Sequence, residues 1–127
     1  MFTELKKTHG EESSEVGDSF YHLSHVYERQ KNFVLAAQYL TKSLKIRIKT
    51  YGTTDKGRED LSKMYNQLGV AYYNQEKFAK AARCFLKSLE VLGKEHPDLD
   101  SIYTNLYFSV QRAHQGTNLA ALVWGKQ

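Results

Sequence analysis

The sequence predicts an all-α protein, an α-solenoid of about three stacked helical hairpins. The first observation behind this is an internal repeat, the signature of units that bury their faces by stacking. Shifting the chain by 45 residues lays Tyr27, Gln30, Phe33, Ala36, Ala37, Lys42, Ser43 and Leu44 onto Tyr72, Gln75, Phe78, Ala81, Ala82, Lys87, Ser88 and Leu89. That is eight identities in the twenty positions from Tyr27 to Ile46. The second observation is apolar spacing. Val16, Phe20, Leu23 and Tyr27 recur as Leu61, Tyr65, Leu68 and Tyr72, and after a further shift of 38 as Leu99, Tyr103, Leu106 and Val110. Steps of four, three and four residues set each group on one stripe of a helix. The third is composition: one proline in 127 residues, with Leu, Ala, Lys, Glu and Gln in long runs, favours helix over sheet.

Taken in order, residues 2–9 read as the end of a preceding helix, with Phe2 and Leu5 lacking a partner. Repeat one spans 14–51. Its first helix carries the Val16 stripe, "RQKN" makes a polar turn, and Phe33, Ala36, Ala37, Leu40 and Leu44 form the stripe of the second helix. The link "YGTTDKGREDL" starts the next helix with Thr54 or Asp55 as its cap. Repeat two spans 56–93, with "NQEK" as its turn and Gly93 suited to the left-handed helix end. Partial repeat three spans 97–127. Pro97 suits a first helical turn, where its missing N–H is harmless, and "NLAALVWGK" is a short last helix. All of this makes one domain over 1–127.

The paired alanines explain the hairpins. Antiparallel helices approach closely only where one offers small side chains and a large neighbour fills the adjoining space. Ala36–Ala37, Ala81–Ala82 and Ala120–Ala121 are the expected contact points, with Leu40, Phe85 and Trp124 as the fillers.

Composition narrows the function. No apolar run approaches the ~20 residues of a membrane span, and no membrane partner is expected. The start, "MFTELKKTHGEESSE", lacks the apolar stretch of a signal peptide. One cysteine forms no internal disulfide, which fits a reducing, cytoplasmic location. A net charge of +4 permits attraction to acidic partners without demanding it. Glycine-rich phosphate loops and zinc-type spacings are absent from the sequence. His22 and His25 lie three apart, yet no cysteine or acid clearly completes a ligand set, so neither metal nor cofactor is expected. Cys84 sits among helix-packing residues without an evident base and reads as a small buried apolar group. "KSLKIRIK" interleaves its charges with Leu44, Ile46 and Ile48, which favours a solvated face over a nucleic-acid site. The expectation is a protein that is not an enzyme.

Leu23, Tyr27, Ala36 and Leu40, then Leu68, Gly69, Tyr72, Ala81 and Phe85, resemble the signature of the tetratricopeptide repeat (TPR) family. The long period and "LGKEHPD" resemble the kinesin-light-chain type. Ser24 departs from the pattern, since glycine or alanine is usual at that close crossing, and the array is expected to be a segment of a longer one. The resemblance implies a TPR superhelix in which the first helix of each hairpin lines a concave surface that binds a peptide or helix of a partner protein. The residues it would place there are Tyr21, His25 and Glu28, then Asn66, Val70, Tyr73 and Asn74, then Asn105, Phe108 and Gln111. Exposed aromatics beside amides suit such a segment. The resemblance therefore implies a protein–protein adaptor, with cytoskeletal or ciliary association. The alternative is a self-assembly module, a homo-oligomer that stacks through its incomplete end hairpins.

Overall fold

The computed structural model describes residues 13–51, 54–93, 97 and 99–116. The expected leading helix over 2–9, the pair Ala120–Ala121 and Trp124 lie outside the described residues. Five α-helices are described: α1 (Ser14–Arg29), α2 (Phe33–Tyr51), α3 (Asp55–Asn74), α4 (Phe78–Leu92) and α5 (Leu99–Gly116). Among the described residues there is no strand.

Local chemistry sets the helix ends. Ser13 caps α1 by accepting from the Val16 N–H at 3.3 Å, and Thr54 caps α3 by accepting from Gly57 at 3.0 Å. Pro97 sits in a turn, and α5 begins just beyond it at Leu99. The two polar breaks are the same structure. Asn32 donates to the Tyr27 carbonyl and Lys31 to Glu28, while Lys77 donates to Tyr72 and Glu76 to Tyr73, all at 2.9 Å. This pair of bonds is the Schellman helix end, which requires a left-handed residue. Lys31 and Glu76 take that role, each at φ 60.

The helices pair in sequence. α1 packs on α2 and α3 on α4 as hairpins, α2 packs on α3 to stack them, and α5 packs on α4. Val16 and Phe20 meet Ile46 inside hairpin one. Ala37, Leu40 and Leu44 meet Leu61, Met64, Leu68 and Ala71 between the hairpins. Ala81 and Phe85 meet Ile102 of α5. The closest approach lies in hairpin two: a Cβ on Gly69 would stand 2.6 Å from the Phe85 ring. Ala36, Ala37 and Ala81 are buried as expected, whereas Ala82 is only half-buried. Ser24, at the position matching Gly69, is accommodated by donating its hydroxyl to the Tyr21 carbonyl at 2.6 Å.

Two expectations are corrected. In α5 the stripe Leu99, Tyr103, Leu106 and Val110 is the buried face only in part: Leu106 packs half-buried against Ala81, Phe85 and Ile102, but Tyr103 is 56% and Val110 38% exposed, while Ile102 and Ser109 are buried. The 38-residue shift matches the stripe that would face a partner within its own hairpin. α4 packs on α5 through Ile102, on the adjoining stripe. Second, "KSLKIRIK" is not wholly a solvated face. Arg47 turns inward, 2.7 Å from Asp18, over the Tyr21 ring at 4.6 Å and 3.7 Å from the Met64 sulfur.

Two predictions follow from this geometry. Gly69→Ala should lower stability by about 1–2 kcal/mol, because overpacking against the Phe85 ring outweighs the helical preference for alanine. Gly17→Ala should be near neutral, since only the Ile46 methyl at 3.0 Å must give way; equal urea midpoints for the two variants would refute this. Lys31→Gly and Glu76→Gly should each stabilise by about 0.5–1 kcal/mol by removing the left-handed cost of a side chain. Thermal melts of the single variants provide the check.

Candidate functional site

The first helices α1, α3 and α5 each present partly or fully exposed side chains. Between α3 and α5 they enclose a pocket of about 240 Å3 lined by Val70, Tyr73, Phe85, Asn105 and Phe108. Val70 and Tyr73 are one helical turn apart on α3, and Asn105 and Phe108 stand likewise on α5, so each helix presents one wall. Phe85 of α4 is 1% exposed. It closes the floor, and its position follows from the space left at Gly69. Tyr73 is held edge-on to Phe78 at 5.0 Å, and Phe108 edge-on to Tyr107 at 5.6 Å. Phe108 is nevertheless 52% exposed. The wall is therefore apolar, aromatic and open.

Two separate tetratricopeptide repeat family models match the chain, over residues 17–47 and 62–93. The matched segments fall on hairpins one and two, with their left-handed turns inside them. The chain carries two tetratricopeptide repeats. No curated protein gives a significant match to it.

Seen on this TPR scaffold, the ten residues selected from the sequence divide into three groups. Val70, Tyr73, Asn105 and Phe108 come together around the pocket. Asn66 joins them, because Asn105 donates to its carbonyl oxygen at 3.1 Å across the gap between α3 and α5. Tyr21, His25 and Glu28 form a separate group on α1. The Tyr21 hydroxyl donates to Gln67 at 3.1 Å, its ring meets His25 edge-on at 4.5 Å, and His25 Nδ1 lies 3.9 Å from the Glu28 carboxylate. Tyr21 thus braces α1 against α3 as well as facing outward. Asn74 and Gln111 bond within their own helices, to the Val70 carbonyl at 2.8 Å and the Tyr107 hydroxyl at 3.0 Å. Sequence reasoning assigned Phe85 to hairpin packing alone. Its second role as pocket floor carries no separate signal, because one buried ring does both.

Cys84, next to Phe85 on α4 but turned about 100° from it, packs against the cluster between the hairpins. Burial pushes its thiol up to about 11, the nearby Arg83 charge offsetting this only in part. Thiolate is the reactive form, so a rise of two pH units from the ordinary 9.0 leaves about a hundredfold less of it at neutral pH. Iodoacetamide should accordingly label native Cys84 about a hundredfold more slowly than the urea-unfolded chain at pH 7.5. The native rate should keep climbing above pH 9. A native rate already level by pH 9 would contradict the burial of this thiol.

Proposed function

We propose that the protein is a non-enzymatic adaptor that holds a peptide or helix of a partner protein on the face built from α1, α3 and α5. The carrying observation is the aromatic pocket between α3 and α5. Tetratricopeptide repeats generally mediate protein–protein interaction, and their stacked hairpins present the first helices on a concave side. The pocket is of a size for one apolar side chain of the partner, taken between Tyr73 and Phe108. The Asn66–Asn105 pair uses one amide donor and one carbonyl. The remaining Asn66 NH2 and Asn105 carbonyl are suited to pairing with the partner's backbone. The proposed cytoplasmic role with cytoskeletal or ciliary association rests on the resemblance of "LGKEHPD" and of the long period to the kinesin-light-chain type.

The test begins with peptides selected on the wild-type chain from a random library. They should share an apolar anchor residue. Phe108→Ala and Tyr73→Ala should each weaken their binding by about tenfold or more, as expected of a central anchor site, with the helical spectrum unchanged. Unaltered affinity in both folded variants would sink the assignment of this face.

A second reading, self-assembly, is favoured by one observation: α5 exposes Tyr103, Tyr107 and Val110 together. An exposed apolar row of this kind marks an interaction surface. In this reading the chain associates with rising concentration, and Tyr103→Ser with Tyr107→Ser weakens that association. Sedimentation showing a monomer at every concentration removes it and leaves the adaptor.

A further inference from the structure

The face opposite the pocket carries a different chemistry. Between the second helices α2 and α4, with the end of α3 beneath, lies a groove of about 440 Å3. Four lysines line it, Lys42 and Lys45 from α2 and Lys77 and Lys80 from the start of α4, and among the described residues no aspartate, glutamate or arginine does. Each pair is three residues apart, so both ammonium groups of a pair project from one side of their helix. Four like charges around one cleft repel one another, a cost that an anionic occupant would relieve.

Two of the four are held in place. The Lys42 ammonium stands 5.5 Å from the Phe20 ring centroid and 5.3 Å from that of Tyr39, and the Lys80 ammonium lies 5.6 Å from the Tyr72 centroid. These cation–π contacts fix a positive charge without neutralising it. Lys45 and Lys77 form no ion pair with any described residue. The segment "KSLKIRIK" is thereby divided. Arg47 turns inward to Asp18, Lys42 lines the groove with its stem while its ammonium stands over Phe20 and Tyr39 at the groove's edge, and Lys45 lines the groove.

We propose that this outer groove docks an acidic peptide segment of a partner protein. Charge complementarity selects an anion, and the other lining groups select a peptide. Gln38 is exposed among the lysines and offers both a donor and an acceptor to a main chain. Specific nucleic-acid binding adds arginine forks or free aromatic platforms to the lysines that neutralise phosphates. Among the described residues this groove is lined by no arginine, and the one aromatic among them, Tyr72, is already covered by Lys80 and tied into both adjacent core clusters.

The experiment uses the full chain and three fluorescein-labelled probes of equal length: a glutamate-rich peptide, a lysine-rich peptide and a single-stranded oligonucleotide. Fluorescence anisotropy at low salt should show binding of the glutamate-rich peptide, no binding of the lysine-rich one, and loss of binding as salt rises. Lys45→Glu with Lys77→Glu should weaken binding by about tenfold or more. Lys56→Glu with Lys87→Glu, which removes the same formal charge at residues outside the groove, should change it less than about threefold. Circular dichroism establishes that both double variants are folded, and Phe108→Ala on the opposite face should leave the affinity unaltered. Equal losses in the two double variants would reduce the effect to net charge and overturn the proposal. Tighter binding of the oligonucleotide than of the peptide, or no binding by the wild type, would overturn it too.

Discussion

Where α3 crosses α4, Gly69 leaves no side chain and the Phe85 ring fills the space, within 2.6 Å of where a Cβ would stand. Three parts of the molecule depend on that contact. It sets how closely the second hairpin shuts. It places the same ring, together with Ala81, against Ile102, which is how α5 joins the array. It also supplies the floor on which the walls of Val70, Tyr73, Asn105 and Phe108 stand. A ring in so confined a space has few alternative rotamers, so the pocket is pre-formed rather than assembled around an occupant. At the matching crossing of hairpin one, Ser24 and Leu40 replace the glycine and the phenylalanine. A smaller filler tolerates a larger neighbour, and the serine hydroxyl is satisfied within its own helix. At the third crossing position stands Tyr107, 58% exposed.

Far from the turns, the hairpins are fastened by a second repeated device. Ser43 and Ser88 are both fully buried, one repeat apart. Ser43 donates to the Gly17 carbonyl at 2.8 Å, and Ser88 to the Ser62 carbonyl at 2.8 Å, each spanning 26 residues. In the second hairpin the two serine hydroxyls also meet each other at 2.8 Å. A buried hydroxyl without a partner is costly, so these bonds tie the helix register to one value. Apolar packing near the turn fixes the distance between the helices, and the serine at the other end fixes their sliding. Together they make each hairpin a defined unit before it stacks.

The fold class was legible because period, stripe spacing and composition all gave the same answer, and each rests on burial that repeats. What the repeat did not convey was anything that differs between copies. Lys31 and Glu76 occupy left-handed positions that glycine or asparagine would have announced. A lysine or glutamate there reads as an ordinary polar turn, so the shared Schellman geometry stayed hidden. The stripe read for α5 included Leu106 but missed Ile102 and Ser109, because a repeat alignment finds the face that equivalent helices bury, while Ile102 is buried by Ala81 and Phe85 of α4. Arg47 shows the same limit: a guanidinium among lysines looks solvated until Asp18, Tyr21 and Met64, all distant in sequence, converge on it. Of the candidate site, four residues converge on one pocket because helix periodicity alone sets Val70 with Tyr73 and Asn105 with Phe108. The amides of Asn74 and Gln111 were not separable from these by spacing, since their partners lie within their own helices.

Equivalent backbone positions with unlike side chains give the array its local character. The 45- and 38-residue shifts bring His25, Val70 and Phe108 into register, and likewise Glu28, Tyr73 and Gln111. Along the face formed by the first helices, the first set runs from titratable on α1 to apolar on α3 and aromatic on α5. The apolar pocket can therefore form only at the α3–α5 step, whereas His25 and Glu28 keep the α1 end polar. The second helices divide differently. Their inward stripes carry the repeated Ala, Leu, Phe and Ser, and their outward positions are free to accumulate lysine. A helix contributes to the core through one stripe only, so two faces of one hairpin vary without disturbing each other. Packing constrains Gly69, Ala81, Phe85 and Ser88; it leaves Phe108 on one side and Lys45 on the other to be chosen by what each face meets.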